Sequence, residues 1–98
     1  MTITKKKDGT VLCVAVSGRL DTSTSPEFEA QMRPELEGLT ELVLDFKELD
    51  YISSAGLRIL LTFQKQMNAQ GKMTIKNSND IIMEIFEVTG FSDILTLE

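Results

Sequence analysis

The chain has no histidine, one cysteine and little positive charge. Without histidine there is no Ser-His or Cys-His pair to activate a nucleophile, and no imidazole to hold a metal. A lone cysteine, Cys13, forms no internal disulfide, which agrees with a reducing compartment. No apolar run approaches the roughly 18 residues of a membrane-spanning helix. Met1–Lys7 carries charge with no apolar stretch behind it, so no secretory leader is read and a cytoplasmic location is expected. Ten lysines and arginines stand against fifteen acids, for a net charge of −5. That balance repels phosphate backbones and disfavours general nucleic-acid binding. The only basic run, Lys5-Lys6-Lys7, reads as a solvated edge strand. Repeats, low-complexity stretches and linkers are missing too.

What is present is an ordinary globular composition. The chain has 98 residues, 42% hydrophobic and 26% charged, enough for one domain over 1–98 with a single core. Strand and helix patterns alternate. Thr2–Lys7 has strand potential, and Asp8-Gly9 signals a hairpin turn. Val11–Val16 is nearly continuously apolar and β-branched, as in a central strand covered on both faces. Cys13, inside it, is therefore expected to be a small buried hydrophobe.

Ser25-Pro26-Glu27 reads as a helix start, with Ser25 capping, and Phe28 and Met32 share one face of that helix. Pro34 is expected to kink or end it. Glu41–Phe46 alternates as a strand. A strong helix runs from Ser54 to about Ala69 with a core stripe of Leu57, Leu60, Leu61 and Met67, ended by Gln70-Gly71. Ile59 and Phe63 fall beside that stripe, as a widened buried face or a docking edge. Lys72–Lys76 is a short strand. Ser78 or Asn79 caps a third helix whose Ile81, Ile82, Ile85 and Val88 are expected to face inward, with Gly90 as its stop. Ile94–Leu97 adds a strand or a helical turn. The expected fold is α/β: a mixed sheet of four to five strands packed with helices, its crossovers right-handed.

Chemistry concentrates in Tyr51-Ile52-Ser53-Ser54-Ala55-Gly56-Leu57-Arg58. Two serines open a helix, where first-turn N–H groups lack partners and the dipole favours an anion. A capping role alone explains one serine. Neither has Glu or Gln three residues on, so there is no capping box. Gly56, in the first turn, costs up to about 1 kcal/mol relative to alanine. It marks close approach by a ligand, a backbone or internal packing.

This segment resembles the phosphoacceptor motif of the STAS domain in bacterial anti-sigma factor antagonists. Gly18-Arg19-Leu20-Asp21 is similar to that family's G-x-L-D turn, and the order of elements agrees along essentially the whole chain. The resemblance implies Ser54 as the acceptor. Several relatives carry aspartate where this chain has Ser53, which leaves Ser53 as the second choice. It implies partner switching. The unmodified protein binds an anti-sigma factor that is also a serine kinase and so frees sigma, phosphorylation of Ser54 ends the complex, and a phosphatase restores it. Asp21, Ser53, Ser54, Gly56 and Arg58 become the expected partner contacts, with Arg58, one turn into the helix, either facing solvent or reaching a partner carboxylate. Asp21 also has a plain reading as an Asx-type turn.

No cofactor, metal or catalytic residue is called for, and a monomer suits a switch that exchanges partners. Two other classes compete. Asp21, Asp45, Glu48 and Asp50 are candidate general acids and bases, but no phosphate loop, metal cluster or nucleophile–base pair accompanies them. A STAS-type module serving a non-sigma partner, in stress signalling or transport, is the alternative. Weak nucleotide binding by the Asp21 loop lacks a glycine-rich cradle.

Overall fold

The computed structural model describes all 98 residues. Thr2–Asp8 (β1) and Val11–Leu20 (β2) form an antiparallel hairpin with Asp8 opposite Val11. Gly9 leads its two-residue turn with φ 63°, a left-handed value glycine adopts freely. The first half of β2 pairs in parallel with Glu41–Asp45 (β3), and β3 with Lys72–Lys76 (β5). The sheet order is β1-β2-β3-β5. Leu49–Ile52 (β4) pairs in parallel with the far end of β2, across an irregularity between Gly18 and Arg19. β4 was not expected from the sequence, since four residues directly after a turn give too short a pattern to read.

Ser25–Leu36 (α1), Ser54–Gln70 (α2) and Asp80–Val88 (α3) supply the helices. The core joins Leu12, Val14, Leu42, Leu44, Phe46, Met73 and Ile75 from the sheet side to Phe28, Met32, Leu57, Leu60, Phe63, Met67, Ile82 and Phe86 from the helices. Each such side chain contributes about 1.5–3 kcal/mol on leaving water. The rings of Phe28 and Phe63 meet at 5.8 Å and tie α1 to α2. Ile59 and Phe63 are both buried, so α2 has the widened buried face, and Leu61 stands half-buried at its margin.

Several expectations need correction. β2 alternates strictly: Leu12, Val14 and Val16 are buried, while Cys13 and Ala15 are exposed. Its apolar run is therefore covered on one face only, and Cys13 is not a core residue. α1 runs two residues past Pro34, because the fully buried Leu36 ties its last turn to the core. Ser25 does not cap α1; Thr24 holds that position and Ser25 lies inside the helix. On α3, Ile82 and Phe86 face inward, but Ile81 and Val88 are exposed and Ile85 is half-buried. Asn79 is the cap of α3, its Oδ1 accepting from the Ile82 N–H at 2.9 Å. At the C-terminus a 3₁₀ turn at Phe91–Asp93 precedes a single parallel bridge from Leu97 to Ile75.

Candidate functional site

β2 and β4 end side by side, with Leu20 opposite Ile52. The Ser53 N–H donates to the Leu20 carbonyl at 2.9 Å. From that point Asp21 leads into one loop and Ser54 into α2, so the two segments start as neighbours. Both lie at the carboxyl ends of parallel strands, where open α/β sheets place their ligands.

The Asp21 loop is closed by its own hydrogen bonds. Asp21 Oδ1 accepts from the Ser23 N–H at 3.0 Å, the Ser23 hydroxyl at 2.8 Å and the Thr24 N–H at 3.1 Å. The Thr24 hydroxyl donates to the Arg19 carbonyl at 2.7 Å, and the Ser25 N–H donates to the Asp21 carbonyl at 2.8 Å. Asp21 thus builds an Asx turn that carries the chain into α1. The Ser23 hydroxyl, then the Thr24 N–H, hold its carboxyl at about 2, against partial desolvation. Asp45 also titrates low. Desolvation opposes ionisation there, but the Asn77 amide and the Lys47 N–H outweigh it. Neither carboxyl keeps a proton to donate near neutral pH.

The two serines differ sharply. Ser53, the N-cap of α2, has extended backbone and makes no side-chain cap; its Oγ is buried without a partner. Ser54, the first helical residue, is exposed. Gly56 is buried, and a Cβ there would stand 2.8 Å from Ile52 Cγ1 and 3.0 Å from both Leu20 Cγ and the Leu20 carbonyl oxygen. The glycine therefore serves close internal packing: it lets α2 sit down on the ends of β2 and β4 and presents Ser54 at the rim. It faces inward, away from the exposed surface shared by Ser54 and Arg58.

Arg58, one turn on from Ser54, is exposed and takes part in none of the chain's three ion pairs. With Thr22, Ser25, Glu29, Ala55 and Ile59 it lines a shallow cleft of about 360 Å³ between the openings of α1 and α2. Ser25 in that cleft is 2% exposed and its Oγ has no partner. The structure thus brings Asp21, Ser54 and Arg58 to one rim, with the Ser53 hydroxyl buried beneath it. Sequence reasoning missed Arg19 and Tyr51. The Arg19 guanidinium lies 4.6 Å from the Tyr51 ring centre and its Nε is 3.5 Å from Asp21 Oδ2. Both stand inside the motifs read from the sequence, but without β4 nothing placed them opposite one another.

Known proteins resemble this chain in sequence and in fold. A sequence profile described as STAS domain matches residues 2–98. BtrV of Bordetella bronchiseptica, assigned by name to the anti-sigma factor antagonists, is 33% identical over 96% of this chain and 83% of its own length. The anti-sigma-B factor antagonist of Staphylococcus aureus is 31% identical over 84% of this chain and 78% of its own. Among solved structures, the Bacillus cell fate determinant SpoIIAA in its phosphorylated form superimposes with a TM-score of 0.76. That match covers 99% of this chain and 91% of SpoIIAA at 15% identity, a likeness of fold.

Proposed function

The chain belongs to the STAS domain family, among its anti-sigma factor antagonists, and from that premise we propose that it works by partner switching at Ser54. In the unmodified state the Ser54 rim binds an anti-sigma factor that is also a serine kinase, and sigma is released. ATP-dependent phosphorylation of Ser54 ends that complex, and a phosphatase resets it. The protein acts by binding and not by catalysis, as a cytoplasmic monomer.

The observation that carries this reading is the contrast between the serines: Ser54 is exposed at the rim, whereas the Ser53 hydroxyl is buried. A kinase needs the hydroxyl in its own active site, so reach favours Ser54. A phosphate there adds about two negative charges and three acceptor oxygens at a helix start that favours anions, so the modified domain keeps its fold. The same charge, desolvated against a close-packed partner, opposes the complex. The exposed Arg58 adds a free positive charge near Ser54 for a partner carboxylate to meet.

The test is incubation with a candidate anti-sigma kinase and ATP, with the phosphate located by mass spectrometry. Phosphate on Ser54, lost in Ser54→Ala and kept in Ser53→Ala, is the expected result. Phosphate on Ser53 overturns the assignment. No phosphate with any such kinase leaves a STAS-type binding module for a non-sigma partner.

A further inference from the structure

The large hydrophobic side chains left exposed all lie between residues 81 and 94: Ile81 at 59%, Val88 at 76% and Ile94 at 47%. The Ser54 site uses none of them. Ile81 and Val88 share α3 and Ile94 follows the 3₁₀ turn after it; exposed apolar side chains gathered in this way mark a contact surface. Ile81, Ile85 and Val88 recur at i, i+4 and i+7, so they form one stripe along α3. Ile85 packs at its inner margin against the core. One residue earlier, Asp80, Glu84 and Glu87 repeat the same spacing. An acidic stripe therefore runs beside the apolar one, about 100° round the helix. α3 carries no basic residue.

We propose that this face of α3 docks an amphipathic helical segment of another protein, one whose apolar ridge is flanked on one side by lysine or arginine. Charge selects this occupant. A second copy of the chain sets acidic stripe against acidic stripe in a molecule of net charge −5, and an anionic bilayer meets the same repulsion. The chain's own basic run, Lys5–Lys7, lies in a strand, where consecutive side chains point to opposite faces and make no apolar ridge. In the proposed pair the apolar ridges supply the buried area. The carboxylates of Asp80, Glu84 and Glu87 fix orientation and reject acidic partners, as flanking charges do in coiled coils. The surface acts separately from Ser54 and does not depend on its phosphorylation.

The experiment titrates the ¹⁵N-labelled full chain with a synthetic helical peptide carrying leucines at i, i+4 and i+7 and lysines beside them. A second peptide has glutamate in place of each lysine. The proposal expects saturable amide shifts confined to residues 80–94 with the lysine peptide, and affinity at least about tenfold weaker for the glutamate peptide. Val88→Ser weakens the lysine peptide by about tenfold. The double variant Glu84→Lys, Glu87→Lys reverses the preference. All these positions are exposed, so unchanged core resonances verify the fold. The proposal is overturned by absent or unsaturable shifts, by equal affinity for the two peptides, or by shifts centred on Ser53–Arg58. Dimerisation relieved by Val88→Ser, or equal binding to phosphatidylglycerol vesicles, also overturns it by giving the face another occupant.

Discussion

The openings of α2 and α3 are built from similar materials and finished differently. At α3, Asn79 has extended backbone and its side chain closes onto the Ile82 N–H at 2.9 Å. At α2, Ser53 has the same kind of backbone, yet its hydroxyl turns into the protein and caps nothing. The first turn of α2 is left open, with an exposed serine as its first residue and an unpaired arginine one turn on. Beside it, the loop into α1 is closed by Asp21, which takes the N–H groups of Ser23 and Thr24 on its carboxylate and that of Ser25 on its carbonyl. A closed helix start stabilises its own element; an open one keeps its orphan donors for something added later. The contrast agrees with a stabilising role for Asn79 and Asp21 and with the switch proposed at Ser54.

Substitutions break or sharpen that contrast, the largest effect first. Phosphorylation of Ser54 is expected to weaken the anti-sigma complex at least about 100-fold, read by calorimetry, because a dianion meets a desolvated interface. Ser54→Ala should keep binding and lose modification. Gly56→Ala forces a Cβ to 2.8 Å from Ile52 Cγ1 and should cost about 1–3 kcal/mol in urea denaturation. Asn79→Ala should cost about 1 kcal/mol through the lost cap. Ser53→Ala removes a hydroxyl that already lacks a partner, so its cost should lie near zero by the same measurement. A Ser53→Ala penalty equal to that of Asn79→Ala would erase the distinction between the two helix starts.

The smallest effect is in pH dependence. Asp21 titrates at about 2 in the fold, below its ordinary value of 3.8. A carboxyl lowered on folding stabilises the native state at every pH above the unfolded value, and that contribution disappears as pH falls toward 2. The amide resonances of Ser23 and Thr24 should therefore hold constant down to about pH 4 and shift below it. Asp21→Asn should abolish that low-pH step.

How far the sequence spoke depended on how local the determinants are. The Asp8-Gly9 turn and the α2 stripe, apart from the half-buried Leu61, rest on a few neighbouring residues and are found in place, and of the two caps read for α3, Ser78 or Asn79, the fold uses Asn79. The two motifs lay open in the same way, and pairing of Leu20 with Ile52 brings them together. Which sheet face the helices cover is a property of the whole chain. Val11–Val16 therefore read as doubly buried although Cys13 and Ala15 are exposed. Ile81 and Val88 looked like core for the same reason, since an apolar stripe on a short helix does not reveal how much of it the neighbours reach. β4 escaped because four residues make no pattern, and with it went the Arg19–Tyr51 contact. Gly56 was legible as a close approach, but only the fold shows that Leu20 and Ile52 are what approaches.

The most direct test is a calorimetric titration of an anti-sigma kinase, without ATP, with two homogeneous preparations: unmodified protein and protein bearing phosphoserine at position 54. Saturable binding of the first and none of the second, with both giving the same far-ultraviolet circular dichroism, is the predicted result. Equal affinity for the two preparations would contradict the switch at Ser54.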